Sequence, residues 1–406
     1  MNVKIHKGTA SGCVFAPPSK SMAHRLLICA GLSEGISIVH GISKSEDILA
    51  TLDCLSAIGA EYEIDNDTVH IKGVNPLNCE PKNILSCRES GSTLRFFIPI
   101  ALLSGKEAFF IGSSYLLSRP LQVYASLCEE KELLFSQTEA GIRVRGPLPS
   151  GEYHIPGNIS SQFISGLLFA LVLQDGDSTI HIIPPVESGS YIDLTISALA
   201  EFGVQVIKKD EKTLFIKGNQ RYQPRETSVE GDYSNAAFLS VFNHLDGNVI
   251  INGLKENSLQ GDRVYFDLFE RIASGTPTID ISDCPDLGPV LFALAAAKQG
   301  AVFTGTKRLK MKESDRASVM REELTKFGVA VTVNEDSVIV SPDDFHAPAE
   351  TLDGHNDHRI VMALSVLLTL TGGEICGAQA VSKSFPDFFE RCSDLHLNIE
   401  TDSERT

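Results

Sequence analysis

The sequence predicts an α/β protein of two similar domains, each built from three repeat units, and three observations carry that prediction. With 406 residues the chain is too long for one ordinary core, at a soft prior of ~150 residues per domain. Its apolar fraction of 43% and charged fraction of 21% are those of a folded globular chain. One pattern also recurs throughout: a helix with apolar residues at helical spacing, a glycine, an alternating strand, a turn and a second short strand.

The first copy places Ile48, Leu52, Leu55 and Ile58 before Gly59, then strands over 61–64 and 69–73. The second places Ile192, Ile196, Leu199 and Phe202 before Gly203, then strands over 204–206 and 214–218. In the third, a helix over 316–327 is stopped by Gly328 and followed by strands over 329–331 and 338–340. Weaker copies lead from a helix over 121–134 to a strand over 141–146, and from a helix over 264–272 through Gly275 to a strand over 278–280. Glycine suits these stops because it reaches the left-handed backbone that ends a helix at little cost. The spacing is roughly 60 to 70 residues per unit, so six units fill the chain, three to a domain.

A formal net charge of −17 disfavours a nucleic-acid or anionic-membrane surface, while a local basic cleft for a small anion stays open. The first residues lack the apolar run of a signal peptide, and apolar stretches such as 167–173 and 361–370 fall short of the ~18 residues of a membrane span. A cytoplasmic protein is therefore expected. Nine cysteines, without a Cys-x-x-Cys pair or zinc-like spacing, read as reduced and mostly buried, and no metal site is expected.

Cations gather at helix starts. In Lys310-Met311-Lys312-Glu313-Ser314-Asp315-Arg316 they precede a helix whose unsatisfied N–H groups and positive dipole end suit a multiply charged anion, with Ser314 or Asp315 as N-cap. Ser19-Lys20-Ser21 and Arg25 run into a helix over 26–31, and Ser90-Gly91-Ser92-Thr93-Leu94-Arg95 precedes one over 96–103; neither has the spacing of a P-loop. Ser118-Arg119-Pro120 opens a helix, and Ser160-Ser161-Gln162 precedes the apolar stretch 163–173. Asp286 stands ahead of the apolar stretch 290–297, where a helix cap is the plain reading. Asp357-His358-Arg359 and Lys383-Ser384-Phe385-Pro386-Asp387 complete the series.

Taken in order, these motifs resemble those of the EPSP synthase (3-phosphoshikimate 1-carboxyvinyltransferase) family of enolpyruvyl transferases, over about residues 15–390. The resemblance implies two domains, each of three β-α-β-α-β-β units around buried helices, an inside-out α/β barrel, with the active site in the interdomain cleft. The chain crosses twice, giving one domain over 14–227 and another over 1–13 with 228–406. The implied reaction moves the carboxyvinyl (enolpyruvyl) group of phosphoenolpyruvate to the 5-hydroxyl of shikimate 3-phosphate and releases phosphate. It serves the shikimate pathway, toward chorismate and the aromatic amino acids. A monomer is implied, with no metal, no organic cofactor, and no nucleic-acid or membrane partner.

Carried over by position, Lys20, Arg119 and Lys383, with the Gly91 backbone alongside, would hold the phosphate of phosphoenolpyruvate, Gln162 would also bind this substrate, and Arg316 and Arg359 would clamp its carboxylate. A planar guanidinium suits that task through two parallel donors. Lys20, Ser21, Arg25, Ser160, Ser161, Gln162, Ser188, Asp286 and Lys312 match the positions that hold shikimate 3-phosphate, with Tyr191 packed on its ring. Asp286 would be the base for the 5-hydroxyl and Glu313 the proton donor to carbon, with Lys20 close to that step; Arg95 supports the fold or the anion field. Glu89, His24 and Arg308 stand where family members frequently have Asn.

Two alternatives remain. The sister enzyme that uses UDP-N-acetylglucosamine carries a Cys before its Arg-Pro dipeptide, and residues 112–119 contain none. A non-catalytic phosphometabolite-binding protein would have no need of carboxylates such as Asp286 and Glu313 beside two anions.

Overall fold

The computed structural model describes residues 1–78, 82 and 84–402. The chain opens with β1 (Val3–Ile5) and β2 (Ser11–Phe15), then α1 (Lys20–Gly31), β3 (Gly35–His40), α2 (Glu46–Ala57), β4 (Glu61–Asp65) and β5 (Thr68–Gly73). Next come β6 (Ile84–Ser86), α3 (Gly91–Leu102), β7 (Glu107–Ile111), α4 (Ser114–Ser118), α5 (Gln122–Glu130), β8 (Leu134–Thr138) and β9 (Gly141–Arg145). A third unit holds β10 (Glu152–Pro156), α6 (Ser161–Leu171), β11 (Ser178–Ile183), α7 (Gly189–Glu201), β12 (Val206–Asp210) and β13 (Thr213–Ile216). Then follow β14 (Glu226–Ser228), α8 (Tyr233–Ser240), β15 (Asn248–Asn252), α9 (Tyr265–Ala273), β16 (Thr278–Asp280), α10 (Gly288–Ala297) and β17 (Ala301–Thr304). The chain closes with α11 (Arg316–Thr325), β18 (Ala330–Val333), β19 (Ser337–Ser341), β20 (Leu352–Asp353), α12 (His358–Thr371), β21 (Gly373–Cys376), α13 (Phe388–Asp394) and β22 (Ile399–Thr401).

Two compact units result, Pro18–Glu230 and Met1–Pro17 with Gly231–Thr406. Each has its own hydrophobic core. In the first, three four-stranded sheets run β14-β3-β5-β4, β6-β7-β9-β8 and β10-β11-β13-β12. Every one pairs a parallel first couple with an antiparallel hairpin, as in β6 with β7 and β8 with β9. The second unit repeats this order in β16-β17-β19-β18 and β20-β21-β1-β22. Helices apolar on all sides have no face to give to water and lie inside. Thus α10 is buried from Gly288 to Ala296, and α6 along its whole length except Gln162.

The sixth sheet differs. It holds only β2 and β15, paired in parallel, among the described residues. The strand expected at 278–280 as the sequel to the helix at 264–272 is β16, the first strand of the next sheet. The sequence pattern misassigns it because 274–277 leads straight from α9 into the following unit, with no hairpin between. The Asn248 N–H bonds back to Ala10, so the neighbouring Val249 faces the opposite edge. There Asn243 Nδ2 donates to the Val249 carbonyl at 2.8 Å and its Oδ1 accepts the Val249 N–H at 2.6 Å. A side-chain amide thus stands where the other sheets have a strand.

Helix α3 contains Pro99, which has no N–H to give the carbonyl four residues earlier. That carbonyl, of Arg95, instead accepts from the buried hydroxyl of Tyr124 at 2.7 Å. A Cβ at Gly166 would stand 2.4 Å from that hydroxyl and 2.5 Å from the same carbonyl, so only glycine lets α6 close on α3 here. The cysteines among the described residues are unbridged and mostly buried; Cys79 lies outside those residues. No described helix is long and apolar enough to cross a membrane.

Candidate functional site

In the unit formed by residues 18–230, the sequence-selected residues fall on the first turns of helices rather than in the loops before them. Ser19 caps α1, so Lys20 and Ser21 are already helical; Ser90 caps α3, beginning at Gly91; Ser160 caps α6, beginning at Ser161. Capping by small hydroxyl residues extends each helix back beyond the apolar stretch that reveals it in sequence. Arg119 departs from expectation: Ser118 ends the short helix α4, and α5 starts only at Gln122, because Pro120 cannot continue the ladder.

Side chains tie these helix starts together. Lys20 Nζ bonds Asp47 Oδ2 on α2 at 2.8 Å. Arg25, buried, donates to the Ser21 carbonyl at 2.6 Å, to Thr195 Oγ1 at 2.8 Å and to the Tyr191 carbonyl at 2.9 Å, joining α1 to α7. Burial lowers its pKa to about 10, so it remains a cation at neutral pH. Its guanidinium also lies 5.9 Å from the centre of the Tyr191 ring. Gln162 Oε1 accepts from Arg95 Nη1 at 2.6 Å and its Nε2 donates to Ser92 Oγ at 2.9 Å, linking α3 to α6. A Cβ on Gly91 would be 2.6 Å from Arg119 Nη1, so the missing side chain leaves room for that guanidinium. Ser188, buried, takes a left-handed φ of 55° just before α7.

In the other unit a carboxylate sits inside a ring of cations. Asp286 Oδ1 accepts from Lys312 Nζ at 3.0 Å and Arg316 Nη1 at 2.9 Å, and its Oδ2 lies 3.4 Å from Arg359 Nη2. Asp286 therefore does not cap a helix as its sequence position suggests: it lies in a 3-10 turn, and Leu287 precedes α10 without a side-chain cap. Arg316, 1% exposed, also bonds Glu313 Oε2 at 2.6 Å and Asp357 Oδ2 at 2.9 Å. Asp315 alone caps α11; Ser314 instead donates to Asp357 Oδ2 at 3.0 Å. Lys383 Nζ donates to the Asn356 carbonyl at 2.6 Å.

Charge follows from this packing. Burial alone would raise the Asp286 carboxyl, but Arg359, Lys312 and Arg316 outweigh it and hold the group well below the usual range. Burial lowers the Lys312 ammonium, with Arg308 and Arg316 adding to the effect and Asp286 opposing it. Burial would lower Arg316 as well, yet Asp357, Glu313 and Asp286 raise it.

Sequence reasoning passed over Asp47 and Asp262. Asp47 lies in the first turn of α2, where an acid favours any helix start and marks no site. Asp262 is buried, bonded by the Ser234 hydroxyl, and pushed up to about 6 by burial and by Asp286; no motif marks it. Of the unusual positions, His24 is buried with Nδ1 2.7 Å from Thr51 Oγ1, and Arg308 donates to the Ser282 carbonyl at 3.2 Å.

The two cationic clusters invite comparison with known proteins. The family model for EPSP synthase (3-phosphoshikimate 1-carboxyvinyltransferase) matches residues 6–392. The chain is 38% identical to a 3-phosphoshikimate 1-carboxyvinyltransferase of Clostridium beijerinckii, covering 97% of both proteins. It is 40% identical to one of Clostridium kluyveri, covering 98% of both. An EPSP synthase structure from Acinetobacter baumannii has the same fold, with a TM-score of 0.80 over 98% of this chain and 100% of that one, at 23% identity. With a match of this extent, and with the family's motifs at the helix starts and in the ionic ring just described, the chain belongs to the EPSP synthase family.

Proposed function

We propose that this chain catalyses transfer of the carboxyvinyl group of phosphoenolpyruvate to the 5-hydroxyl of shikimate 3-phosphate, releasing phosphate. The observation that carries the reading is Asp286, a carboxylate held by Lys312, Arg316 and Arg359. In a site that only bound anions a carboxylate shared by three cations would compete with the ligand for them, whereas deprotonation of a hydroxyl needs a base and a carboxylate can serve as one.

In this reading Lys20, Arg119 and Lys383, with the Gly91 backbone, serve the phosphate of phosphoenolpyruvate, Gln162 also contacts this substrate, and Arg316 and Arg359 serve its carboxylate. Ser21, Arg25, Ser160, Ser161, Gln162, Ser188 and Lys312, with Lys20, serve shikimate 3-phosphate. A proton added at the methylene carbon makes the adjacent carbon electrophilic. Asp286 takes the proton of the 5-hydroxyl as its oxygen attacks, giving a tetrahedral ketal. Removal of a proton from the new methyl group then restores the double bond and expels phosphate. Glu313, 2.6 Å from Arg316, is the group assigned to proton exchange at carbon, with Lys20 near the same step. The cations stabilise charge on the departing phosphate.

The ring around Asp286 adds a condition. Arg316 and Arg359 already bond Asp286, so a substrate carboxylate competes for the same donors. As they turn to the substrate, their hold on Asp286 weakens and its basicity rises. Substrate binding thereby readies the base.

The test is phosphate release by the purified protein. It is expected only when phosphoenolpyruvate and shikimate 3-phosphate are supplied together. Equal release with UDP-N-acetylglucosamine as acceptor, or none with the proposed pair, would sink the reading.

A further inference from the structure

We infer that Arg88, which none of the site motifs contains, is a positioning residue that fixes the elements carrying Gly91 and Arg119. The inference rests on the reaction proposed above. Arg88 adopts φ 49°, a left-handed backbone that glycine takes freely and other residues take at a cost. Its side chain is clamped onto one helix. Its Nε donates to Asp53 Oδ2 at 3.0 Å, Nη2 lies 2.8 Å from the same oxygen, and Nη1 donates to Glu46 Oε2 at 2.7 Å. Both acids belong to α2, which also presents Asp47 to Lys20 at 2.8 Å. Helix α2 thus orients Lys20 with one carboxylate and the Arg88 turn with two others.

The backbone of that turn reaches both remaining elements. The Arg88 carbonyl accepts the Ser113 N–H at 2.8 Å, and Ser113 caps α4, the helix that Arg119 directly follows. Two residues after Arg88, Ser90 bonds the Cys87 carbonyl at 2.8 Å and caps α3 at Gly91. A Cβ on Gly112 would stand 2.8 Å from the Arg88 carbonyl, so the contact leaves little slack. Arg88 is 34% exposed, with Asp53 at 34% and Glu46 at 50%. Ion pairs so open to solvent add little to stability. What they contribute is direction: they aim the turn, and the turn aims Gly91 and Arg119.

Arg88→Gly separates the two roles, because glycine keeps the left-handed backbone while deleting the clamp. The expected result is a KM for phosphoenolpyruvate raised about tenfold, within the hundredfold that an ångström-scale misplacement can cause. The KM for shikimate 3-phosphate should stay within about twofold and the melting temperature within about 3 °C, the shift that a weak ion pair implies. Glu46→Gln combined with Asp53→Asn should reproduce the selective effect with Arg88 intact. An unchanged KM for phosphoenolpyruvate, or an equal rise in both KM values, overturns the inference. Calorimetric titration of the same variants with phosphoenolpyruvate reads the effect without turnover, so a failure of the proposed reaction is told apart from a failure of the Arg88 role.

Discussion

Replacing Asp286 by asparagine should move binding and turnover in opposite directions. Asparagine keeps the shape of the side chain and one acceptor but removes the charge that now occupies Arg316 at 2.9 Å, Lys312 at 3.0 Å and Arg359 at 3.4 Å. A hydrogen bond to a charged partner is worth about 1.5–3 kcal/mol net. At 20% exposure Asp286 is partly screened, so the lower half of that range applies to each contact. Freeing the equivalent of one such contact, at about 1.4 kcal/mol per tenfold, tightens phosphoenolpyruvate binding by roughly ten- to fortyfold. Loss of the base lowers kcat by at least ~100-fold. Calorimetric titration of phosphoenolpyruvate into Asp286→Asn saturated with shikimate 3-phosphate measures the first effect, and phosphate release at saturation the second. Unchanged or weaker binding would show that Asp286 does not compete with substrate for the guanidinium groups. An unchanged kcat would remove Asp286 from the chemistry.

Further predictions concern pH and the short sheet. The carboxyl of Asp262 is raised from 3.8 to about 6, so the folded state holds its proton more tightly; the stability this contributes is present below about pH 4 and lost as pH rises to about 6. Asp262→Asn should therefore gain in melting temperature relative to the parent across that window, and a gap constant with pH would contradict the assignment. His24 shows the opposite sign. Burial, then Lys20 and Arg25, hold it well below 6.5, so its contribution is present above 6.5 and lost as pH falls. His24→Asn should flatten the melting-temperature profile between about pH 7.5 and pH 5.5, roughly one unit either side of the ordinary histidine value, and an unaltered slope counts against it. Asn243→Ala, which strips both partners from Val249, should cost about 1–3 kcal/mol in urea unfolding. No loss would mean that water satisfies that edge.

What could be read from sequence was what local pattern encodes. The motifs around Lys20, Gly91, Ser161 and Arg316 were visible because a hydroxyl or carboxylate cap and small or charged residues stand close before an apolar stretch, although the first three helices begin earlier than those stretches. The three strong repeats were visible because each helix, its terminal glycine and its hairpin are contiguous. Taken alone Asp286 suggested a cap, and only the motif resemblance offered another role, because the partners that define it lie 30 and 73 residues downstream, at Arg316 and Arg359. Distance in sequence hid Arg88 and Asp53 as well, 35 residues apart on a turn and a helix. Asp262 escaped because its properties come from burial, which no spacing announces. The absent hairpin after α9 escaped because a three-residue strand looks the same whether it ends one unit or begins the next.

The two-stranded sheet of β2 and β15 has one more consequence. Its unit still buries Tyr265, Leu268, Phe269 and Ile272 of α9, so closure of the core does not depend on an outer hairpin. The hairpin behaves as a detachable part: β4 with β5, β8 with β9, β12 with β13 and β18 with β19 each follow the corresponding helix of a sibling unit, and the turn at 274–277 stands where they would begin. That turn is therefore the natural port for grafting new chain into this protein: a segment inserted there enters and leaves where the architecture already accommodates one, and leaves Asp286 and its ring of cations untouched in sequence.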